Sequence, residues 1–238
     1  MASKKTGIVY ISFGSAAALS AAESLLSIRR LGIDVPAISI GSTQVPDTTF
    51  IPWTGRDPWY NDRIEPKNRF RAGEIKPFLY NLSPFDYTLY LDADTMVYGD
   101  IMPGFELLER YDICIADHHN FNIEDIWRHP KYNLPEHAKK IEEREATHKL
   151  LGGVRTPFLN SGVIFFRKSK AAMNVFANWY IEWAHYREWD EQMALHRAIH
   201  NCPDIKIGHL PTAWNQKYKE ESTIIWHKMG GNSARRQR

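Results

Sequence analysis

The first forty residues carry apolar and helical patterns in the order strand, helix, strand. Residues 7–13 (GIVYISF) form a short apolar, β-rich run, and residues 16–30 carry alanine and leucine at helical spacing. Leu31 and Gly32 end this predicted helix, and residues 35–40 form a second apolar run. This order predicts a parallel sheet with a right-handed crossover, and the Gly-Ser turn after the first strand stands where such sheets bind nucleotides.

The same two patterns recur along the rest of the chain. Four further apolar, β-rich runs predict strands at residues 87–91, 111–116, 158–166 and 205–209. Helices are predicted at residues 72–82, 171–186 and 190–199, with a polar helical excursion over residues 124–151 and loop-rich chain over residues 42–70. The strand at residues 158–166 is expected to be broken by the polar triplet Asn160-Ser161-Gly162. Together these elements predict an α/β fold with a mostly parallel central sheet flanked by helices.

Composition and charge narrow the class of protein only slightly. The chain has 238 residues, 43% of them hydrophobic and 24% charged, which is ordinary for a globular protein. Its formal net charge of +2 neither indicates nor excludes a nucleic-acid partner. Two cysteines, Cys114 and Cys202, are too few for a disulfide framework and favour a reducing compartment. Because the chain has no apolar run of membrane-spanning length and no signal-peptide pattern, we expect a cytoplasmic protein.

The clearest candidate for chemistry is the segment YLDADT, which includes the end of the predicted strand at residues 87–91. Asp92 and Asp94 are two residues apart, so in extended backbone their side chains project to the same side. They stand at the strand end, which is the edge where open α/β sheets bind ligands. Two carboxylates that point together repel each other unless a cation lies between them, which favours a Mg²⁺ or Mn²⁺ site. The alternative is an acidic turn without metal, which is common after strands.

Several short motifs in a fixed order connect the chain to a known family. The segments are TLYLDADTMV, FLNSGVIFF, WDEQMALH, LPTAWN and WHKMGG. In this order they resemble nucleotide-sugar glycosyltransferases of GT-A fold, most closely the glycogenin-like family 8 of retaining glycosyltransferases. That family has a D-x-D after an apolar strand, then an N-[SA]-G strand, a D-Q segment and a late H-x-x-G. The resemblance spans most of the chain and implies one GT-A catalytic domain over residues 1–231, followed by a basic, flexible tail over residues 232–238.

The resemblance also implies roles for individual residues. It makes Asp92, Asp94 and His227 the ligands of Mn²⁺ or Mg²⁺, a set of two oxygens and one nitrogen that suits manganese. The residues that would bind the nucleotide sugar are Ser12, Gly14, Lys76, Asp92, Ala93, Asp94, Asn160, Ser161, Gly162, Asn215 and Gly230. The residues that would act in catalysis are Asp190, Glu191 and Gln192, and which acid faces the sugar stays open. From the residues alone, an interfacial histidine beside Trp226 is the preferred interpretation of His227, and a solvent-facing lysine is an equal alternative for Lys76.

Besides having Glu191-Gln192 where the family has a D-Q pair, the chain departs from the family pattern at two further places. The family often has an acid after the first strand for the nucleotide base, whereas residues 12–14 of this chain are Ser, Phe and Gly. The family's late motif continues to a phosphate-binding lysine. This chain has Ser233 at that position, with Lys228 and Arg235 as candidates to replace the lysine. The first departure leaves the identity of the base open.

The reaction implied by the resemblance is transfer of a hexosyl or pentosyl group from a nucleotide diphosphate donor to an acceptor hydroxyl. A UDP-sugar donor and retention of configuration are expected from the family, whereas the acceptor stays unidentified. A glycan or small molecule is favoured, and a nucleic acid is a minority option based on the basic tail and on Lys67, Arg69 and Arg71. Two other classes remain open: a nucleotidyltransferase that uses the same acid pair, and a non-catalytic sugar-nucleotide-binding module.

Overall fold

The computed structural model describes residues 4–58, 71–123, 138–151, 156–186 and 191–228. The strands of these residues are β1 (Thr6–Ser12), β2 (Ala37–Gly41), β3 (Thr49–Pro52), β4 (Tyr87–Leu91), β5 (Thr95–Val97), β6 (Ile113–Asn122), β7 (Pro157–Arg167), β8 (Ile207–Leu210) and β9 (Ile225–His227). The α-helices are α1 (Ser15–Arg30), α2 (Arg71–Ile75), α3 (Leu79–Leu82), α4 (Met102–Leu107), α5 (Ala138–Leu151), α6 (Lys170–Tyr186) and α7 (Glu191–His200). Short 3₁₀ helices cover Lys76–Phe78 and Thr212–Trp214.

A mostly parallel sheet is the centre of the fold. Its seven strands have the order β3-β2-β1-β4-β7-β6-β8, and β5 pairs with β9 in a separate antiparallel ribbon. Strands β1 to β4 are parallel to one another, as are β6 and β8, whereas β7 is antiparallel to both of its neighbours. Strands β1, β2 and β4 are buried along almost their whole length, which explains their continuous apolar runs. The predicted fold class is confirmed.

Helices cover both faces of the sheet. Successive residues of a strand point to opposite faces, so each buried strand contributes side chains to two cores. On one face, Ile8 and Tyr10 of β1 belong to a core that includes the buried side of α1. On the other face, Val9 and Ile11 belong to a core that includes α6 and α7, with Trp179 at its centre. The two cores fix the strands between them and therefore fix the edge at which their polar ends meet.

Strand β7 is continuous, so the prediction of a break at Asn160-Ser161-Gly162 was wrong. The polar triplet instead coincides with a shift of register against β6. Leu159 pairs with Asp117 and Ile164 pairs with Ile115, so the chain advances five residues along β7 and two along β6. This bulge admits a polar triplet without ending the strand.

Most of the predicted elements are present, with ends shifted by at most two residues, except that β6 extends six residues beyond its predicted end. The helix predicted at residues 72–82 is divided into α2, a 3₁₀ turn and α3. Of the excursion predicted at residues 124–151, the described part is α5. Strand β3 lies inside the segment predicted as loop, and α4, β5 and β9 were also missed. Each of these is three to six residues long, too short for a periodic pattern.

Candidate functional site

The aspartate pair lies in a turn that begins where β4 ends. The Thr95 N–H donates to the Asp92 carbonyl oxygen at 3.1 Å, and Thr95 Oγ1 donates to the same oxygen at 2.8 Å. The segment between Asp92 and Thr95 is therefore a tight turn rather than extended backbone, so the predicted reason for the convergence of the two acids was wrong. Buried hydroxyls of Thr95, Ser24 and Tyr10, each 3.0 Å from the next, tie the turn to α1 and β1.

Asp92, Asp94 and His227 come together at this turn. The pairing of β5 with β9 places Thr95 opposite His227. Nε2 of His227 is 3.1 Å from Asp94 Oδ1 and 3.6 Å from Asp92 Oδ2, and one ligand atom from each residue lies within 4.8 Å of the others. Adjacent ligands of an octahedral cation with bonds of about 2.1 Å are about 3.0 Å apart. The spacing therefore fits one divalent cation.

Asn215 and Gly162 fix the position of the His227 ring. Asn215 Oδ1 lies 2.8 Å from Nδ1 of His227, while Asn215 Nδ2 donates to the Asn160 carbonyl oxygen at 3.4 Å. Because an amide oxygen only accepts, the Nδ1–H of His227 donates to Asn215, and Nε2 is the ring nitrogen that faces the aspartates. A Cβ on residue 162 would lie 2.2 Å from His227 Cε1, so the ring needs glycine beneath it. The imidazole is thus oriented as a metal ligand would be.

Neighbouring groups orient Asp92 and keep Asp94 ionised. The Tyr90 hydroxyl donates to Asp92 Oδ1, which leaves Oδ2 towards His227. Burial opposes the charge of Asp94, but the hydrogen bond and the charge of His227 outweigh it and lower the pKa of Asp94. Burial, together with the nearby charge of Asp92, raises the pKa of Tyr90, so the phenol keeps the proton that it donates.

Lys76 is buried and contacts acids from two parts of the chain. Its Nζ is 3.1 Å from Asp92 Oδ1 and 3.0 Å from Glu191 Oε1, and it donates to Ser161 Oγ at 3.1 Å. Burial alone would lower the pKa of Lys76, but the two carboxylates outweigh that effect and raise it. The alternative of a solvent-facing lysine was therefore wrong, and a protonated ammonium lies inside the site.

The first two side chains of α7 reach the same place. Ser161 Oγ donates to Glu191 Oε1 at 2.9 Å, so Lys76, Ser161 and Glu191 all contact one another. Gln192 Oε1 accepts the Ser161 N–H at 3.2 Å. Of the predicted catalytic residues that the structure describes, Glu191 is thus the acid at the site, and Gln192 forms a hydrogen bond with β7.

The polar triplet of β7 lies directly beside the aspartate turn. The Asp92 N–H donates to the Gly162 carbonyl oxygen at 2.8 Å. The Asn160 side chain is buried, and its Oδ1 accepts the Gly162 N–H at 2.8 Å. Within the triplet, Asn160 and Gly162 shape the backbone, whereas Ser161 presents its hydroxyl to Lys76.

The end of β1 supplies the remaining predicted residues at this edge. Tyr10 of β1 pairs with Leu91, the last residue of β4, so β1 ends at Ser12 on the edge of the sheet where the aspartate turn begins. Ser12 is fully buried, and Ala93 is partly buried. Gly14 precedes α1 with a φ of 83°, a conformation that favours glycine. The structure therefore brings Ser12, Gly14 and Ala93 to the same edge as the three potential metal ligands.

Other predicted residues lie outside the described part of the chain or contact different groups. Those outside are Lys67, Arg69, Asp190, Gly230, Ser233, Arg235 and the rest of the tail at residues 232–238. Lys228, a candidate to replace the family's phosphate-binding lysine, has its Nζ 3.7 Å from Glu23 Oε2 on α1. Within the described residues, no helix is long and apolar enough to cross a membrane.

Sequence analysis missed three residues that hold the site together. Tyr90 binds Asp92, Thr95 closes the turn, and His196 Nε2 accepts the Leu159 N–H at 2.9 Å. Tyr90 could have been found, because a residue two positions before Asp92 lies on the same side of a strand. No sequence signal identifies His196, whose partner is a backbone group of another element.

With this geometry in place, comparison with known proteins identifies the class. The sequence model of the nucleotide-diphospho-sugar transferase family matches residues 82–230, which is more than half of the chain. The protein therefore belongs to this family of transferases. A search of curated proteins by sequence gives no significant match.

Solved structures of glycosyltransferases have the same fold at low sequence identity. Galactosyltransferase LgtC, solved with donor and acceptor sugar analogues, has 13% identity and a TM-score of 0.61, over 94% of this chain and 87% of that one. Mouse xyloside xylosyltransferase 1 has 12% identity and a TM-score of 0.56, over 94% and 97%. GlyE of Streptococcus pneumoniae TIGR4 has 14% identity and a TM-score of 0.57, over 99% and 57%. These likenesses establish the GT-A fold, as predicted.

Proposed function

We propose that the protein is a metal-dependent glycosyltransferase that passes a hexosyl or pentosyl group from a UDP-sugar, with retention, to an acceptor hydroxyl. The observation that carries the proposal is the convergence of Asp92, Asp94 and His227 in a chain of the nucleotide-diphospho-sugar transferase family. The order of the motifs supports closer membership of the glycogenin-like family 8, with one catalytic domain over residues 1–231. The free thiols of Cys114 and Cys202 support the proposal of a cytoplasmic location.

The chemistry of the three side chains fits a divalent cation. Two carboxylates and one neutral imidazole suit Mn²⁺ or Mg²⁺, and the nitrogen ligand favours manganese. Asn215 provides the outer hydrogen bond that metal-binding histidines usually have, and Tyr90 plays the same part for Asp92. When bound, such a cation would neutralise charge on the donor's diphosphate.

The chain's own residues provide a second positive charge and a surface for the sugar. Lys76 joins Asp92 to Glu191, so its buried ammonium places a positive charge within the acidic edge, where it offsets the two carboxylates and favours binding of the donor's diphosphate. Glu191 and the adjacent Gln192 lie next to the acid pair, and we assign to them the support of the donor sugar. The acceptor stays unassigned, with a glycan or small molecule favoured over a nucleic acid.

A panel of donors tests this function. The protein is incubated with UDP-, GDP- and dTDP-sugars in Mn²⁺, and the released nucleoside diphosphate is quantified, with EDTA added in a parallel series. We expect release from a UDP-sugar that EDTA abolishes. The absence of release from every donor, with every acceptor class tried, would contradict the proposal and favour a binding module. Release of pyrophosphate from a nucleoside triphosphate and a sugar 1-phosphate would instead identify a nucleotidyltransferase.

A further inference from the structure

Two backbone N–H groups of β7 donate to side chains of a helix rather than to a neighbouring strand. Strand β4 pairs with β7 from Val163 onwards, so residues 157–161 have no partner in β4. In this stretch the Leu159 N–H donates to His196 Nε2 at 2.9 Å, and the Ser161 N–H donates to Gln192 Oε1 at 3.2 Å. Helix α7 therefore provides acceptors for the part of β7 that passes the end of β4.

Both acceptors lie on one side of α7. His196 and Gln192 are four residues apart, about one helical turn or about 6.0 Å along the helix axis. The two donors, Leu159 and Ser161, are on either side of Asn160 in the bulge of β7, where the regular ladder with β6 is interrupted. One side of α7 therefore binds both N–H groups.

His196 is built to be an acceptor at this position. Its side chain is buried, and its ring stacks on Phe158 with centroids 5.5 Å apart. Burial, aided by the charge of Arg197, lowers the pKa of His196 to about 3, so the ring is neutral at ordinary pH. With Nε2 accepting from Leu159, the ring proton is on Nδ1.

The helix that carries His196 is itself firmly anchored. Arg197, the next residue, is buried, and its guanidinium is 2.8 Å from Glu143 Oε1 of α5 and 2.8 Å from Glu182 Oε2 of α6. Nη1 of Arg197 donates to Thr147 Oγ1 at 2.6 Å. A hydrogen bond from β7 to His196 therefore ties the polar triplet to a rigid frame of three helices.

We propose that His196 is a positioning residue that holds residues 159–162 in place for the donor and the metal. Two contacts carry its effect. The Asn160 carbonyl oxygen accepts from Asn215, which binds His227, and Ser161 Oγ binds Lys76. The inference deepens the proposed function and rests on it for the role of the triplet, whereas the contact between α7 and β7 is independent of it.

Two substitutions separate positioning from simple stability. His196→Gln keeps an acceptor near the place of Nε2, and His196→Leu removes it. Val175→Ala, in the core that α6 shares with α7, serves as a control for lost packing. In His196→Leu we expect amide hydrogen exchange of Leu159 to accelerate on the order of tenfold, because the N–H loses its partner. The KM for the donor should rise by a similar factor. His196→Gln should restore both quantities, and Val175→Ala should lower the Tm without changing either.

Two results would overturn the inference. One is unchanged Leu159 exchange in His196→Leu, and the other is an equal loss of donor affinity in His196→Gln and His196→Leu. If His196→Leu does not fold, NMR of the wild type tests the hydrogen bond itself. A scalar coupling across it, between the Leu159 amide nitrogen and His196 Nε2, is expected, and the absence of that coupling would refute the contact. A wild type that hydrolyses no donor would refute the proposed function alone, because exchange and coupling report the contact directly.

Discussion

Asn215 governs the orientation of His227, and replacing it tests whether His227 is a metal ligand. The side chain is buried, with Oδ1 2.8 Å from His227 Nδ1 and Nδ2 3.4 Å from the Asn160 carbonyl oxygen. Asn215→Leu has a similar volume but neither accepts nor donates. The Nδ1–H of His227 then loses its partner, and the ring is no longer held with Nε2 towards Asp92 and Asp94.

The expected magnitude follows from the position of Asn215 behind the ligand. Loss of the outer partner of a metal-binding histidine typically weakens metal affinity by about 10- to 100-fold, or about 1.4–2.7 kcal/mol. The buried N–H that is left without an acceptor also lowers the free energy of unfolding by about 1–3 kcal/mol. Asn215→Leu should therefore lose both Mn²⁺ affinity and stability.

The matched control is Asn215→Asp. It keeps an oxygen for the Nδ1–H of His227 but replaces the donor to the Asn160 carbonyl oxygen with a second oxygen, so we expect it to lower the Tm while it keeps the outer partner of the imidazole. Carboxylates serve widely as outer partners of metal-binding histidines, so we expect near-normal affinity. Titration calorimetry with Mn²⁺ gives the Kd of the wild type and both variants, at a temperature where thermal unfolding shows that each is folded.

The reasoning fails if Asn215→Leu, while folded, binds Mn²⁺ within twofold of the wild type. It fails equally if Asn215→Asp loses as much affinity as Asn215→Leu. The first result would mean that His227 is not a ligand, and the second that the oxygen of residue 215 is not what orients it.

Two further predictions concern Gly162 and His196. Gly162→Ala places a methyl group 2.2 Å from His227 Cε1, so we expect weaker Mn²⁺ affinity by titration calorimetry, and unchanged affinity would show that the ring does not need this glycine. The pKa of His196 is about 3 in the folded chain against an ordinary value of 6.5, so the unfolded chain binds the proton first as the pH falls. The free energy of unfolding should therefore decrease between pH 6.5 and 3, by up to about 1.4 kcal/mol per pH unit from this group. The free energy of unfolding of the wild type and of His196→Gln is measured by urea unfolding at several pH values. It should depend less steeply on pH in the variant, and the same pH dependence in both proteins would refute the assignment.

The features predicted correctly are those that a local pattern can encode. Strand β4 is a run of apolar residues that ends at Asp92, and both the strand and the position of its acids follow from that run. The opening strand, helix and strand are likewise marked by periodicity and by Gly32. Such signals depend on a few neighbouring residues and are visible without the fold.

The features that escaped prediction depend on contacts between distant segments. Strands β5 and β9 are three residues each, and it is their pairing that brings His227 to the aspartate turn. Lys76 seemed equally suited to solvent, because its partners Asp92 and Glu191 are reached only through the fold. The triplet at Asn160 was expected to break a strand, since the support it receives from α7 lies outside any local pattern.

The most direct test of the central claim compares Asp94→Asn with the wild type in donor turnover. The substitution removes one carboxylate charge with little change of volume, and Asp94 Oδ1 lies 3.1 Å from His227 Nε2. At saturating Mn²⁺, we predict that the wild type releases nucleoside diphosphate from a UDP-sugar and that Asp94→Asn, although folded, does not. Release by Asp94→Asn at a rate close to that of the wild type would contradict the account.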